Sequence, residues 1–150
     1  MGIYKSIGEV PYRKRLDRYK DEYEGSDIWN EFERDRIDRF DSEHYRDTFH
    51  KTDRSWKGHM ATQGRHHALA TPDDVSRWCA ELIVDRKLET VYTQYWVRLE
   101  EFYSWLQSHR HHPHVYHPVL MAAANHEVPR AIWWVKMDEN PAALVGLSRE

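Results

Sequence analysis

The chain has 150 residues, of which 40% are apolar, 13% aromatic and 31% charged, and its net charge is −3. That length suits one domain with its own core, and no run approaches the roughly 18 apolar residues of a membrane-spanning helix. The single cysteine, Cys79, excludes an internal disulfide framework.

Residues 1–26 are mostly charged, with Tyr4, Tyr12, Tyr19 and Tyr23 interspersed, and read as an N-terminal arm or a short helix. The polar opening as far as Lys20 leads us to expect no signal peptide, and therefore a cytoplasmic location. From Asp27 the pattern turns helical. Ile28, Trp29, Phe32, Ile37 and Phe40 can share one face of a first core helix. Ser42 can cap a second helix, whose stripe is Tyr45, Phe49, Trp56 and Met60, and Gly64 stands where a left-handed C-cap wants glycine. A third helix opens on Thr71 and Pro72 with Asp74 in the capping-box position, and buries Val75, Trp78, Cys79, Leu82 and Ile83. Cys79 therefore reads as a buried, inert thiol. A fourth helix of about six turns begins near Leu88 and carries Val91, Tyr95, Leu99, Phe102 and Leu106 on a regular period. Pro113 prevents it from continuing far, and Pro118 starts a short helix through Ala124. A last amphipathic piece spans 129–137 and contains Trp133 and Trp134, followed by a tail.

No alternating run of β-branched residues is bounded by turn signals, so no strand is expected. The expected class is all-α: a compact orthogonal bundle of four to five helices joined by short loops. The expected division is an arm at 1–26, a helical domain at 27–126, and a short helix with a tail at 127–150.

Few residues suggest chemistry. The run of His109, His111, His112, His114 and His117 could bind a transition metal, but no cysteine or carboxylate lies within it. Histidine at a helix C-terminus is favoured by the helix dipole alone, so no metal site is expected. His66 and His67, after Gly64 and Arg65, could grip a phosphate or be plain loop residues. There is no glycine-rich phosphate loop and no GxSxG elbow, and the carboxylates sit among Arg and Lys as solvated pairs do. Nothing calls for a cofactor or a catalytic group. Charge is uneven, however. Arg46, Lys51, Arg54, Lys57 and Arg65 face only Asp47 and Asp53 between positions 46 and 67, so a local basic face could bind phosphate on a slightly acidic chain.

The order IWNEFERDRIDRF, SEHYRDTFHKTDRSWKGHM, TPDDVSRWCAELI, LETVYTQYWVRLEEFYSWL and VYHPVLMAA resembles the N-terminal core-binding domain, a SAM-like helical domain, of tyrosine recombinases and phage-type integrases. Phe49-His50-Lys51 stands at that family's Tyr-Arg-Arg-like run. Phe102-Tyr103-Ser104-Trp105-Leu106 stands at the end of its long helix, and His117-Pro118 at its Asn-Pro helix start. The wording RSWKGHM, GRHHALATPDDV and HPHVYHPVLMAA is similar to integrase-like proteins of haloarchaea. The resemblance covers about residues 27–124.

It implies a jaw that clamps duplex DNA, with the second and fourth helices against the duplex. The residues it assigns to DNA are His50, Lys51, Arg54 and Lys57 on the second helix, and Thr90, Thr93, Gln94 and Arg98 on the fourth. Lys and Arg can neutralise phosphates, while Thr, Gln and Arg can also meet base edges. The two polar stripes must then lie side by side. Glu100 and Glu101 depart from the basic late fourth helix of the family, so that end should face away from DNA or toward another recombinase subunit. The family's chemistry needs a tyrosine nucleophile and an Arg, Lys and His-x-x-Arg pocket. No His-x-x-Arg follows Pro118 and no tyrosine follows Tyr116, so the expectation is a non-enzymatic DNA-binding chain. The alternative is a non-catalytic helical interaction module of the same ancestry. Neither a membrane nor a small-molecule substrate is expected as a partner.

Overall fold

Local chemistry sets the helix ends. The chain is described over residues 4–36, 38 and 42–138 of a computed structural model, with side chains through 136, and these residues contain helices and turns but no strand. Three 3-10 turns (Ile7–Glu9, Tyr12–Lys14 and Leu16–Tyr19) lead to a single α-turn, α1 (Lys20–Tyr23), and then to α2 (Ile28–Arg36). Asp27 caps α2, its carboxylate accepting the Asn30 amide at 3.0 Å. α3 (Glu43–Gln63) starts at Ser42, whose hydroxyl accepts the Tyr45 amide, and stops at Gly64, which sits in the left-handed region at φ 74°. α4 (Pro72–Leu82) opens with a complete Thr71–Asp74 capping box and a proline in its first turn. α5 (Leu88–Val91), a π-helical turn (Tyr92–Trp96) and α6 (Val97–Ser108) follow one another without a break. α7 (Pro118–Asn125), α8 (Glu127–Trp133) and α9 (Val135–Asp138) complete the order.

The expected all-helical class is therefore what the described residues show, but they form nine α-helical segments and not four to five helices. Two further details differ from the expectation. The long fourth helix contains a π-helical turn, which side-chain periodicity alone does not announce. The last amphipathic piece begins at Glu127 rather than at Pro129 and breaks at Trp134. Ile37, Phe40 and the tail from 139 lie outside the described residues.

Aromatic rings build the core. Trp29 and Phe32 of α2, Phe49 of α3 and Phe102 of α6 are fully buried, with centroids 4.7–5.5 Å apart around the group. Trp56 of α3 meets Trp78 of α4 edge-on at 5.0 Å. Each such ring contributes on the order of 2–3 kcal/mol of hydrophobic transfer, plus the edge-to-face term. The stripes expected on α3, α4 and the α5–α6 rod all point inward, with Tyr45 and Ile83 partly buried at the margin. The N-terminal arm belongs to the same core: Val10, Leu16 and Tyr23 are buried in it, as is Ile132 of α8. Among the described residues no helix is long and apolar enough to cross a membrane.

Candidate nucleic-acid interface

The π-helical turn sits directly against α3. The wide turn bonds the Val97 amide back to the Tyr92 carbonyl. The Gln94 carbonyl in that turn accepts the buried Thr52 hydroxyl of α3 at 2.9 Å. Beside it, the Lys51 ammonium donates to Gln94 Oε1 at 2.7 Å. The two helices are thus joined at one residue by a backbone bond and a side-chain bond. Lys51 and Gln94, placed on different helices by the sequence, are brought together.

The rest of the expected stripe divides. Arg54, one turn beyond Lys51, is exposed and makes no hydrogen bond or ion pair among the described residues. Thr93 is exposed and donates to the Glu89 carbonyl at 2.9 Å, while Thr90 is half-buried one turn earlier. His50 and Lys57 turn toward α2 instead. His50 Nε2 lies 3.3 Å from Glu33. Lys57 is held between Asp27 at 2.8 Å and Asp53 at 2.9 Å. Burial works against the Lys57 charge, but the hydrogen bonds from Asp27 and Asp53 outweigh it and hold its pKa above the ordinary lysine value. Its charge is already paired within the fold.

Arg98 is a correction to the expected surface set. It is buried, and its guanidinium donates to Thr48 Oγ1 at 3.1 Å and to Glu101 at 3.4 Å while lying 4.1 Å above the Tyr45 ring. It ties α6 to α3 and is not presented to solvent. The acidic end of α6 is used in the same inward way, since Glu101 meets Arg98 and Glu100 accepts the Trp96 indole at 3.0 Å. Burial, more than its neighbours, raises the Glu100 carboxyl above the usual range.

Sequence reasoning missed Arg86. It lies in the connection after α4, where no periodicity marks it, yet its guanidinium sits 5.3 Å from the Tyr95 ring that Lys51 Nζ approaches from 5.8 Å. Its ion pair with Asp85 is solvent-exposed and weak. Lys51 and Arg86 therefore meet at the Tyr95 ring, with Gln94 bonded to Lys51, while the exposed Arg54 lies one turn further along α3. Cations stacked on a ring keep their remaining N–H groups free for a ligand.

The histidines prove to be builders. His67 Nε2 accepts the Ile28 and Trp29 amides at 3.2 and 3.3 Å, capping α2 from a distant loop. His117 Nδ1 accepts the Leu120 amide at 3.3 Å and caps α7. His66 bonds the Ser26 carbonyl at 2.8 Å and accepts the Ala68 amide at 3.0 Å. His114 donates to the Ala68 carbonyl at 2.6 Å. Tyr23 of the arm donates to His112 Nδ1 at 2.6 Å, and the opposite ring nitrogen lies 3.2 Å from Glu31. Among the described residues no group of three or more His, Cys, Asp or Glu is arranged to hold a metal ion. The His66–His67 loop, whose reading was open, is spent on these internal bonds, and Arg65 beside it forks onto Asp74 at 2.7 and 3.1 Å. Cys79 is buried, and burial pushes its thiol far above the ordinary value.

Comparison of the chain with known protein families, with curated proteins and with solved structures finds no match.

Proposed function

We propose that this chain is a DNA-clamping helical module of the core-binding, SAM-like type, carrying no chemistry of its own. One observation supports the reading: Lys51 and Arg86 both approach the Tyr95 ring, and Lys51 bonds Gln94, where α3 meets the π-helical turn. Cations for phosphates and neutral donors for base edges then share one surface, which is the division of labour that duplex recognition needs. The set is smaller than the resemblance implied, because Arg98 is buried and Lys57 is paired. With few free cations and a net charge of −3, binding is weak to moderate and strongly salt-dependent. An anisotropy titration on duplex DNA at two salt concentrations tests this. Binding at low salt that falls steeply as salt rises is the expected result; no binding at low salt refutes the reading.

A second reading, a helical protein–protein interaction module, rests on a different surface. Trp134 is 50% exposed and Leu120 41% exposed, and both line an apolar groove with Ala123 and Trp133. Light scattering separates the two readings. A discrete oligomer with no affinity for DNA favours the second, and a monomer that binds DNA favours the first.

A further inference from the structure

We infer that Lys51 and Gln94 act as a single donor-only reading pair, which selects guanine on the major-groove edge of a DNA partner. The inference rests on the DNA-binding reading and adds to it the base that the site prefers.

A free glutamine offers both hydrogen-bonding roles. Its amide carries one acceptor oxygen and two N–H donors, a combination that matches adenine, which presents an acceptor at N7 and a donor at N6. Gln94 does not offer that combination. Its Oε1 accepts the Lys51 ammonium at 2.7 Å. A positive group seated on the oxygen disfavours the approach of a second donor, such as the adenine amino group. What remains on the amide is its pair of N–H donors, joined by the unused N–H groups of the Lys51 ammonium. Guanine is the base whose major-groove edge is acceptor at both O6 and N7. Cytosine offers an amino donor there, and thymine one acceptor and a methyl group.

The pair is also held in place, as a base-reading group must be. The Thr52 hydroxyl fixes the Gln94 backbone carbonyl at 2.9 Å, and Lys51 Nζ lies 5.8 Å from the Tyr95 ring centroid. Tyr95 itself is buried, so the platform under the ammonium is part of the core. Arg86 reaches the same Tyr95 ring as Lys51, and Arg54 is exposed one turn further along α3, so both are available for neighbouring phosphates. The wide turn contributes by turning Gln94 toward α3. No property of α3 alone or of the α5–α6 rod alone would set this donor pattern.

The test uses the full chain and a duplex library with a randomised window, selected at low salt, followed by anisotropy on the selected site and on its guanine-to-adenine substitution. The wild-type chain should enrich guanine at one position and bind the adenine version about tenfold more weakly. Lys51→Met frees the amide oxygen, so its preference should move from guanine to adenine. Gln94→Leu should erase the base preference at that position and keep salt-dependent binding. Melting followed by circular dichroism checks that both variants fold. Binding without a guanine preference, or a Lys51→Met chain that still selects guanine, overturns the inference while leaving the DNA-binding reading intact. Absence of binding to every duplex at low salt overturns both.

Discussion

At the scale of single residues, the same side-chain type serves opposite ends according to burial. Arg98 is 8% exposed and has Thr48, Glu101 and the Tyr45 ring as partners, so removing it takes the paired cation from a half-buried carboxylate and empties the space over the Tyr45 ring. Arg98→Ala should lower the unfolding free energy by about 3 kcal/mol, read from urea denaturation. Arg54 is exposed and free of partners, so Arg54→Ala should leave stability within about 0.5 kcal/mol. In salt-dependent titrations on duplex DNA it should weaken binding across sequences and reduce the salt slope by about 1. Lys57 gives the control. Its ammonium is already shared by Asp27 and Asp53, so Lys57→Ala should cost stability through the two carboxylates left behind and change the salt slope little. A Lys57→Ala slope change as large as that of Arg54→Ala would contradict the pairing.

At the scale of elements, the connection from α3 to α4 is fixed by chemistry at each end. Gly64 takes φ 74°, and a β-carbon built there meets nothing within 4 Å. Gly64→Ala therefore costs only backbone strain, about 1 kcal/mol, with no steric clash to add. Thr71→Ala removes the hydroxyl that accepts the Asp74 amide at 3.2 Å and should cost about 1 kcal/mol. Thermal melts of the two single variants and the double variant should show near-additive losses, since the sites do not share a partner. Asp74 ties this cap to the arginine fork. Burial opposes its charge, but the hydrogen bonds from Arg65 and Thr71 prevail and keep its carboxyl below the ordinary range. Its contribution is complete above pH 3.8, the ordinary aspartate value, and is lost only as pH falls further.

For the whole molecule, buried histidines set the acid limit. His67, His114 and His117 are held neutral, with burial as the leading cause in each, at about 3, 4 and 4 against an ordinary 6.5. Asp27 lies near His67 and favours its protonation, but His66 and Lys57 oppose it. His66 and His112 are lowered in the same direction, again first by burial, although Ser26 and Glu31 pull them back. Below pH 6.5 the unfolded chain therefore binds more protons than the folded one, and stability falls as pH falls. The loss runs from 6.5 down to about 4 for His114 and His117 and on to about 3 for His67, and flattens below those values. Each of the three buried groups carries on the order of 3 kcal/mol over that span. Melting temperature should be level above pH 7 and drop steeply between pH 6 and 4, as measured by calorimetry across that range. Because His66, His112 and His114 all surround Tyr23, the arm should loosen first, seen as early hydrogen exchange in residues 4–26. A flat melting temperature down to pH 4 would show that these rings are not buried as neutral acceptors and donors.

What the sequence determined by itself was whatever depends on neighbours along the chain. Ser42, Gly64, Thr71, Pro72 and Pro118 marked helix ends, because caps and proline act within one turn. The 3.6-residue spacing of Phe49, Trp56 and Met60, and of Val91, Leu99 and Phe102, marked the buried faces, because burial follows helical period. Tertiary structure decided what each polar group meets, since partners come from distant positions. His67 caps a helix 39 residues earlier in the chain, and Tyr23 reaches His112 across 89 residues. The bond from Lys51 to Gln94 spans 43 residues, and the guanidinium of Arg98 finds Thr48 across 50. A polar stripe read from periodicity cannot distinguish an arginine that faces water from one that faces a neighbouring helix. That choice depends on the crossing of α3 with the π-helical turn, where Thr52 and Lys51 both bond Gln94.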